Sequence, residues 1–329
     1  MPAVAVVMPV LNEETYLEAA VLAILSQDYA GAIQVVLALG PSIDRTNEVA
    51  ARICAADSRV SSVPNPTGRT PEGLNAALAV TTQEIVVRVD AHSELSDGYI
   101  RLAVETLERT GADNVGGIMG ARGVTKFEKA VAAAMSSPLG VGSASFHTGG
   151  TEGPAETVYL GVFKRSALDR VGGYDPAFTR AQDWEMNYRI RTTGGDVWFN
   201  PELFVTYRPR PNVFKLAKQY FEYGSWRHEV MRRHPDTRRT KSALRYFAPP
   251  LAVLGILCGL LMGLIGIALQ AFPLFFWGFL PLLGYLALTL VSSLTLVKRA
   301  RNGALWLPIV LMTMQMSWGI GFLASPKKK

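Results

Sequence analysis

Residues 86–94 read Val86-Val87-Arg88-Val89-Asp90-Ala91-His92-Ser93-Glu94, an apolar run that stops at an aspartate with a histidine two places on. The run fits the end of a buried strand. A strand end sets alternate residues on one side, so Asp90 and His92 could both face one ligand. Carboxylate oxygen plus imidazole nitrogen suits Mn²⁺ or Mg²⁺ where a diphosphate supplies the remaining oxygens. The plain alternative is an Asx-type turn with an exposed histidine. The tripeptide alone leaves both open.

Upstream, the stretch closes a regular series. Ala3 to Met8 is an apolar run of the kind found in buried parallel strands. Asn12 is then expected to cap a helix, with Glu13 and Glu14 in its first turn and Leu17, Val21 and Ile24 on one face. Strands over Ile33–Leu39 and Val60–Val63 alternate with helices over Asp44–Ala56 and Pro71–Val80, up to the strand Ile85–Val89. This alternation predicts an α/β fold with a doubly wound, mostly parallel, Rossmann-like sheet. Ligands in such sheets sit beyond the carboxyl ends of the strands, where Asp90 and His92 stand.

Downstream, a strand is expected over Val115–Met119 and a helix over Thr125–Met135. The Gly- and Ser-rich stretch Ser136–Glu156 reads as a mobile lid or binding loop. A strand over Val158–Phe163 precedes "RSALDRVGGYDPAF", a short helix ending in a Gly-Gly turn. Ala181–Thr193 is expected to be helical, with Asp183 and Glu185 in its first turn. A carboxylate there is ordinarily a cap that favours the helix dipole, so Asp183 by itself does not identify a base.

Charge divides the chain. Residues 1–204 carry 16 Lys/Arg against 24 Asp/Glu, residues 205–245 carry 11 against 3, and residues 246–329 carry 6 against none. The basic collar includes Arg208, Arg210, Lys215, Lys218 and Arg227 and holds a predicted amphipathic helix, Asn212–Arg233. Its position just before an apolar region points to anionic lipid or lipid phosphate and away from nucleic acid. Ala248–Ala271 and Leu274–Val297 are each long enough to cross a bilayer, which takes about 20 apolar residues. Ala304–Ser325 is also long enough. The collar and Lys298-Arg299-Ala300-Arg301 mark cytoplasmic flanks and put the N-terminal domain in the cytoplasm. The terminal Lys327-Lys328-Lys329 conflicts with that rule if the third segment crosses, so its topology stays open. Cys54 and Cys258 fall in different compartments, which fits a reducing cytosol. The domain reading is 1–205 catalytic, 206–245 interfacial and 246–329 a transmembrane anchor of two to three helices.

The succession "VVMPVLNEE", "SIDRTNEVA", "LNAAL", "IVVRVDAHS", "GGYDPAFTRAQDWEMNYRIRTTGG" and "KQYFEYGSWR" resembles family 2 glycosyltransferases of the GT-A fold, in their membrane-anchored, succinoglycan-type subgroup. The resemblance covers nearly the whole chain. It implies that Pro9, Asn12, Glu13, Asp44 and Asp90 bind the nucleotide sugar and that Asp90 and His92 hold a divalent cation, Mn²⁺ or Mg²⁺, at the DxD position. Asp183 matches the general base, and Glu185 completes the acidic pattern around it. Gln219, Trp226 and Arg227 match an interfacial motif near acceptor and diphosphate. Arg208 and Arg210 could bind diphosphate or pair structurally with acidic groups.

Three positions depart from the family pattern. The second strand is followed by Leu39-Gly40-Pro41-Ser42, with acid only at Asp44; His92 replaces the second Asp of DxD; and the Gln/Arg/Trp motif is spread from Gln219 to Arg227. The expectation is an inverting hexosyltransferase at the inner (plasma) membrane. Its donor would be a nucleotide sugar, UDP-glucose above others, and its acceptor a lipid-linked saccharide for exopolysaccharide, capsule or cell-wall glycan. Polyprenyl phosphate as acceptor, or a non-catalytic nucleotide-binding membrane scaffold, are the alternatives. The lack of ionisable residues at mid-depth in the apolar segments weighs against a transporter.

Overall fold

The computed structural model describes residues 1–142, 144–239 and 243–325. The chain forms two compact units, residues 1–120 with 144–207, and residues 121–143 with 208–329.

In the first unit, β1 (Val4–Val10), β2 (Ile33–Leu39), β3 (Val60–Pro64) and β4 (Ile85–Arg88) alternate with α1 (Leu17–Leu25), α2 (Thr46–Ala56) and α3 (Thr70–Ala79). Then come β5 (Glu94–Leu95), α4 (Tyr99–Thr110) and β6 (Asn114–Ala121). In the second unit, α5 (Lys126–Met135) and α6 (Pro138–Val141) follow. The chain returns to the first through α7 (Ser145–Thr148), β7 (Gly153–Pro154), β8 (Tyr159–Lys164), α8 (Arg165–Val171), α9 (Gln182–Thr192) and β9 (Val197–Tyr207). The second unit is completed by α10 (Val213–Arg233), α11 (Leu244–Ala268), α12 (Phe272–Ala300) and α13 (Leu307–Leu323).

One mixed sheet runs β3-β2-β1-β4-β8-β6-β9-β5, with β7 beside β9. The four strands expected from the alternation pair in parallel; β8 pairs antiparallel to both β4 and β6. β1 holds the middle of the parallel half, and its side chains are buried on both faces, which is why "VAVVMPV" shows no alternation. Its register, Val7 opposite Arg88 and Val10 opposite Leu39, brings the carboxyl ends of β1, β2 and β4 together. The residues that follow those ends, Asn12, Asp44 and Asp90, build the candidate site.

Two expectations are corrected and two elements are added. Asn12 does not cap α1: the helix starts at Leu17, after a turn in which Asn12 takes φ 57°. Its side-chain carbonyl accepts from Ile43 N at 2.9 Å instead, because a cross-loop bond competes with a local cap. The stretch 136–156 is not one open lid. It holds α6, α7 and β7, and Ser136 and Leu139 accept hydrogen bonds from Arg299 and Gln315 (Ser143 lies outside the described residues). Helix α4 and strand β9 are additional elements. α4 is flanked by Gly98 and Gly111, both left-handed, and buries Tyr99, Ile100, Ala103, Val104 and Leu107. In β9, Asn200 accepts from Glu202 N across Pro201, which breaks the alternation that would have marked a strand.

In the second unit, two stretches are long and apolar enough to cross a membrane, Arg245–Ala268 and Phe272–Leu323. The latter is broken at Arg301, φ 52°, by a 3₁₀ turn over Arg301–Trp306 that separates α12 from α13. Glycines at 259, 263, 266 and 278 let α11 and α12 touch backbone to backbone. Gly224 does the same for α10 and α13, since a β-carbon there would strike the Trp318 carbonyl oxygen. Gly224→Leu is therefore expected to force these helices apart and destabilise the detergent-solubilised protein by about 1–3 kcal/mol. Gly255→Ala meets nothing within 4 Å and should leave the melting temperature unchanged or raise it. Thermal melts of both variants make the comparison.

Candidate active site

The backbone after β4 turns, with Ser93 N donating to the Asp90 backbone carbonyl at 2.9 Å and not to its side chain, and the Asp90 and His92 side chains are held by neighbours. His92 Nδ1 lies 2.8 Å from Glu13 Oε1, which ties the turn after β4 to the loop after β1. Asp90 Oδ1 accepts from Arg88 Nη2 at 3.1 Å.

Arg88 organises the rest. It is the last residue of β4 and its side chain is 2% exposed, in a strand otherwise apolar. Burying a guanidinium costs several kcal/mol unless opposite charge and hydrogen bonds offset the lost water. Here Asp90 pairs with one nitrogen and Asp183 Oδ1 with the other, Nη1. The Tyr174 ring lies 5.9 Å from the guanidinium carbon. Burial pushes the Asp90 carboxyl upward, but Arg88, His92 and Arg180 outweigh it and hold it below the ordinary carboxylate range. Burial likewise raises the phenols of Tyr159 and Tyr174, which stay neutral beside Arg88. The two carboxylates are 21% and 23% exposed, so each reaches solvent while anchored from within.

Asp183 is held from its own side as well. It lies in the first turn of α9, where the helix dipole favours an anion, after Ala181 at φ 58°. Asn12 and Leu160 share that left-handed conformation. These three non-glycine residues border the turn after β1, the Tyr159 strand and the Asp183 helix, and strain of this kind persists where surrounding contacts over-determine the backbone.

The loops after β1 and β2 are stapled together. Asn12 N donates to Ser42 Oγ at 3.0 Å, Glu13 N to Thr46 Oγ1 at 2.7 Å, and Arg45 N to Glu14 Oε2 at 2.9 Å. Asp44 accepts from Thr46 N and Oγ1 through one oxygen and from Glu14 N through the other, and the Thr46 hydroxyl foremost holds its carboxyl below the usual range. Asp44 thus caps α2 and braces the neighbouring loop. Ile43, 95% exposed, forms the tip between them. Pro9 sits half-buried in β1 opposite Ala38.

Glu185, which the resemblance sets in the acidic pattern around Asp183, lies two residues on in the same turn of α9. It is buried, and both its oxygens bind Arg189, at 2.6 and 2.7 Å, so it fixes α9. Gln219, Trp226, Arg227 and Arg208 belong to the second unit. There Trp226 is buried, Gln219 donates to Tyr223 OH at 2.8 Å, Arg227 stacks on Tyr246 at 4.1 Å, and Arg208 is exposed.

Among the described residues no cluster of three or more His, Cys, Asp or Glu forms a metal cage. Asp90 and His92 would supply only part of a shell, one carboxylate oxygen and one imidazole nitrogen, a donor pair that fits Mn²⁺ or Mg²⁺ only where substrate phosphate oxygens complete it.

Sequence reasoning missed Arg88 although its signal was visible: a single cation inside a buried apolar run must have a buried anionic partner. Arg88→Met is expected to cost about 3–5 kcal/mol by leaving two carboxylates without their shared cation. Asp90→Asn in that background should restore part of the loss, read by thermal melts. Ala181→Gly should gain about 0.5–1 kcal/mol by removing the left-handed strain before Asp183.

The glycosyl transferase family 2 sequence model matches residues 5–172. The succinoglycan biosynthesis protein ExoA of Rhizobium meliloti (strain 1021) is 32% identical over 319 residues, 96% of this chain and 93% of that protein. Among solved structures, the mannosyltransferase PcManGT of Pyrobaculum calidifontis, in complex with GDP-Man and Mn²⁺, aligns with a TM-score of 0.61 at 21% identity, over 98% of this chain and 86% of that one. TarS 1-349 of S. aureus, in complex with UDP-GlcNAc, aligns with a TM-score of 0.51 at 15% identity over 64% of this chain, which spans 60% of that fragment. The structural matches bear on the fold, and the mixed sheet with its flanking helices is the GT-A arrangement they share. With the family match and the ExoA identity on top of that fold, the chain belongs to glycosyl transferase family 2.

Proposed function

We propose that this chain transfers a hexose from a nucleotide sugar, UDP-glucose first, to a lipid-linked saccharide at the cytoplasmic face of the membrane, with inversion and with a divalent cation. The product would enter an exopolysaccharide, capsule or cell-wall glycan. The observation that carries the reading is the Asp90–Arg88–Asp183 bridge: two part-exposed carboxylates held at the carboxyl edge of the sheet by one buried cation. The relatives lend support through their own properties, ExoA by its place in succinoglycan biosynthesis, PcManGT by its GDP-Man and Mn²⁺, and TarS by its UDP-GlcNAc.

In this reading Asp183 takes the proton of the attacking acceptor hydroxyl through the oxygen that Arg88 leaves open, while the anomeric carbon–oxygen bond to the diphosphate breaks. One base suffices for a single displacement, so no covalent intermediate is needed. Arg88 keeps Asp183 aimed without touching the reacting atoms. Asp90 and His92 would hold the cation, whose chemistry is to neutralise charge on the departing diphosphate. Glu13 fixes the His92 ring, and the stapled loops after β1 and β2 offer the wall for the nucleotide. Arg208, Gln219, Trp226 and Arg227 are proposed as acceptor- or diphosphate-side residues.

Binding titrations with UDP, GDP and dTDP, each with and without Mn²⁺, test the donor side. One nucleotide should bind only with Mn²⁺ in the wild type and fail to bind in Asp90→Ala. Asp183→Asn should keep that binding and lose transfer by about 10²–10⁴-fold, the usual contribution of a general base. No binding of any nucleotide to the wild type would overturn the reading, and nucleotide binding with glycan synthesis intact in Asp183→Asn would favour the non-catalytic scaffold. A product carrying a single sugar on lipid phosphate would move the acceptor to polyprenyl phosphate.

A further inference from the structure

Helix α13 has the hydropathy of a membrane span, yet its surroundings are those of the basic collar. It has 17 residues, about 25 Å at the helical rise, against a hydrocarbon thickness of about 30 Å. At its start, Trp306 packs edge-on against Phe127 of α5 at 5.5 Å, and α5 is a surface-type helix with a capping box and Lys126, Glu128 and Lys129. At its middle, Gln315 Nε2 donates to the Leu139 carbonyl in α6 at 2.9 Å. At its end, the Phe322 carbonyl lies 2.9 Å from His228 Nδ1, and Ser325 Oγ bonds Ser225 O at 3.2 Å, both partners in α10. The two helices touch backbone to backbone at Gly224 and Gly321 and run in the same direction, residues 221, 224 and 228 meeting 321, 318 and 322.

Helix α10 cannot follow a crossing. It carries Lys215, Lys218, Glu222, Arg227, Glu229, Arg232 and Arg233, and Glu229 is buried between the last two arginines, which with it form ion pairs at 2.6 Å. A helix packed lengthwise on such a partner shares its depth. Most contacts with the apolar hairpin lie towards the collar end of α11, where Trp318 stacks on Tyr246 at 6.3 Å, Phe322 meets Phe247 and Gly319 abuts Pro249 and, a turn deeper, Val253. Gln315 also accepts from the Tyr285 hydroxyl of α12 at 3.0 Å. Apolar side chains that the pair leaves exposed, Phe214 at 85% with Phe221, Ile320 and Leu323, suit the headgroup–acyl boundary.

Resting on the reading of α11 and α12 as membrane spans, we infer that α10 and α13 form one platform lying in the membrane interface. The chain then crosses twice, and residue 325 returns to the collar's face. The lysine run at 327–329 lies outside the described residues. A chain that crosses twice and leaves α13 on the collar's face agrees with the positive-inside rule.

Single cysteines in the full chain, with Cys54→Ser and Cys258→Ala as background, test this with a membrane-impermeant maleimide on intact and permeabilised cells. The positions are Lys215→Cys in the collar, Leu269→Cys at the α11–α12 turn and Ala324→Cys after α13. A cysteine appended after Lys329 serves if Ala324→Cys does not fold. Position 324 should label like 215 and opposite to 269, with at least a tenfold contrast between the two faces. Labelling of 324 like 269 overturns the platform and makes α13 a third crossing. If 215 and 269 label alike, the hairpin does not cross, and the membrane reading falls before the platform is reached.

Discussion

A buried guanidinium between two carboxylates is the constraint on which the site depends. Arg88 projects from the parallel half of the sheet with almost no exposure, and water cannot compensate its charge. Asp90 and Asp183 must therefore be where they are, since moving either would strand a cation in the core. Two groups 93 positions apart in sequence, one after β4 and one opening α9, are thereby fixed to a single point. Preorganisation of this kind is what transition-state stabilisation requires, because groups already in place need not reorganise as charge develops.

The surrounding backbone accepts strain to serve that arrangement. Asn12, Leu160 and Ala181 take a conformation that costs about 1–2 kcal/mol for a residue with a β-carbon. The hydrogen bonds joining the loops after β1 and β2 hold the first in place, and the Arg88–Asp183 pair holds the helix that follows the third. The acidic residues divide their work accordingly. Asp44 and Glu185 each have both oxygens bound by protein donors, whereas Asp90 and Asp183 share one buried cation and keep an exposed side.

In the second unit the same logic of satisfied polar groups decides depth. Apolar composition makes α13 resemble α11 and α12, but its neighbours include the charged helix α10 and the Leu139 carbonyl of α6 as well as the apolar hairpin. Hydropathy reports how much a helix dislikes water; whether it faces lipid or protein depends on what covers it. Half of the apolar face predicted for α10 is also covered, with Leu216, Tyr220 and Trp226 buried and only Phe214 and Phe221 open.

The alternation of apolar strands with amphipathic helices from Val4 to Arg88 was legible because period and punctuation are local properties, and so were the basic collar, the two long apolar helices and the family resemblance. Helix α4 went unread although Gly98 and Gly111 bound it in the sequence, and β9 was masked where Pro201 interrupts its pattern. Asp90 and Asp183 could be named from the sequence only by resemblance, since an isolated aspartate at a strand end or helix start has an ordinary structural use. What the sequence determined by itself was the order of elements and the chemistry available along the chain. Only the tertiary structure decided that Arg88 joins two distant carboxylates, that Glu185 and Asp44 are occupied by their neighbours, and that α13 lies against the charged helix α10. Each of these turns on which groups lose water together, and that is settled by packing between segments far apart in sequence.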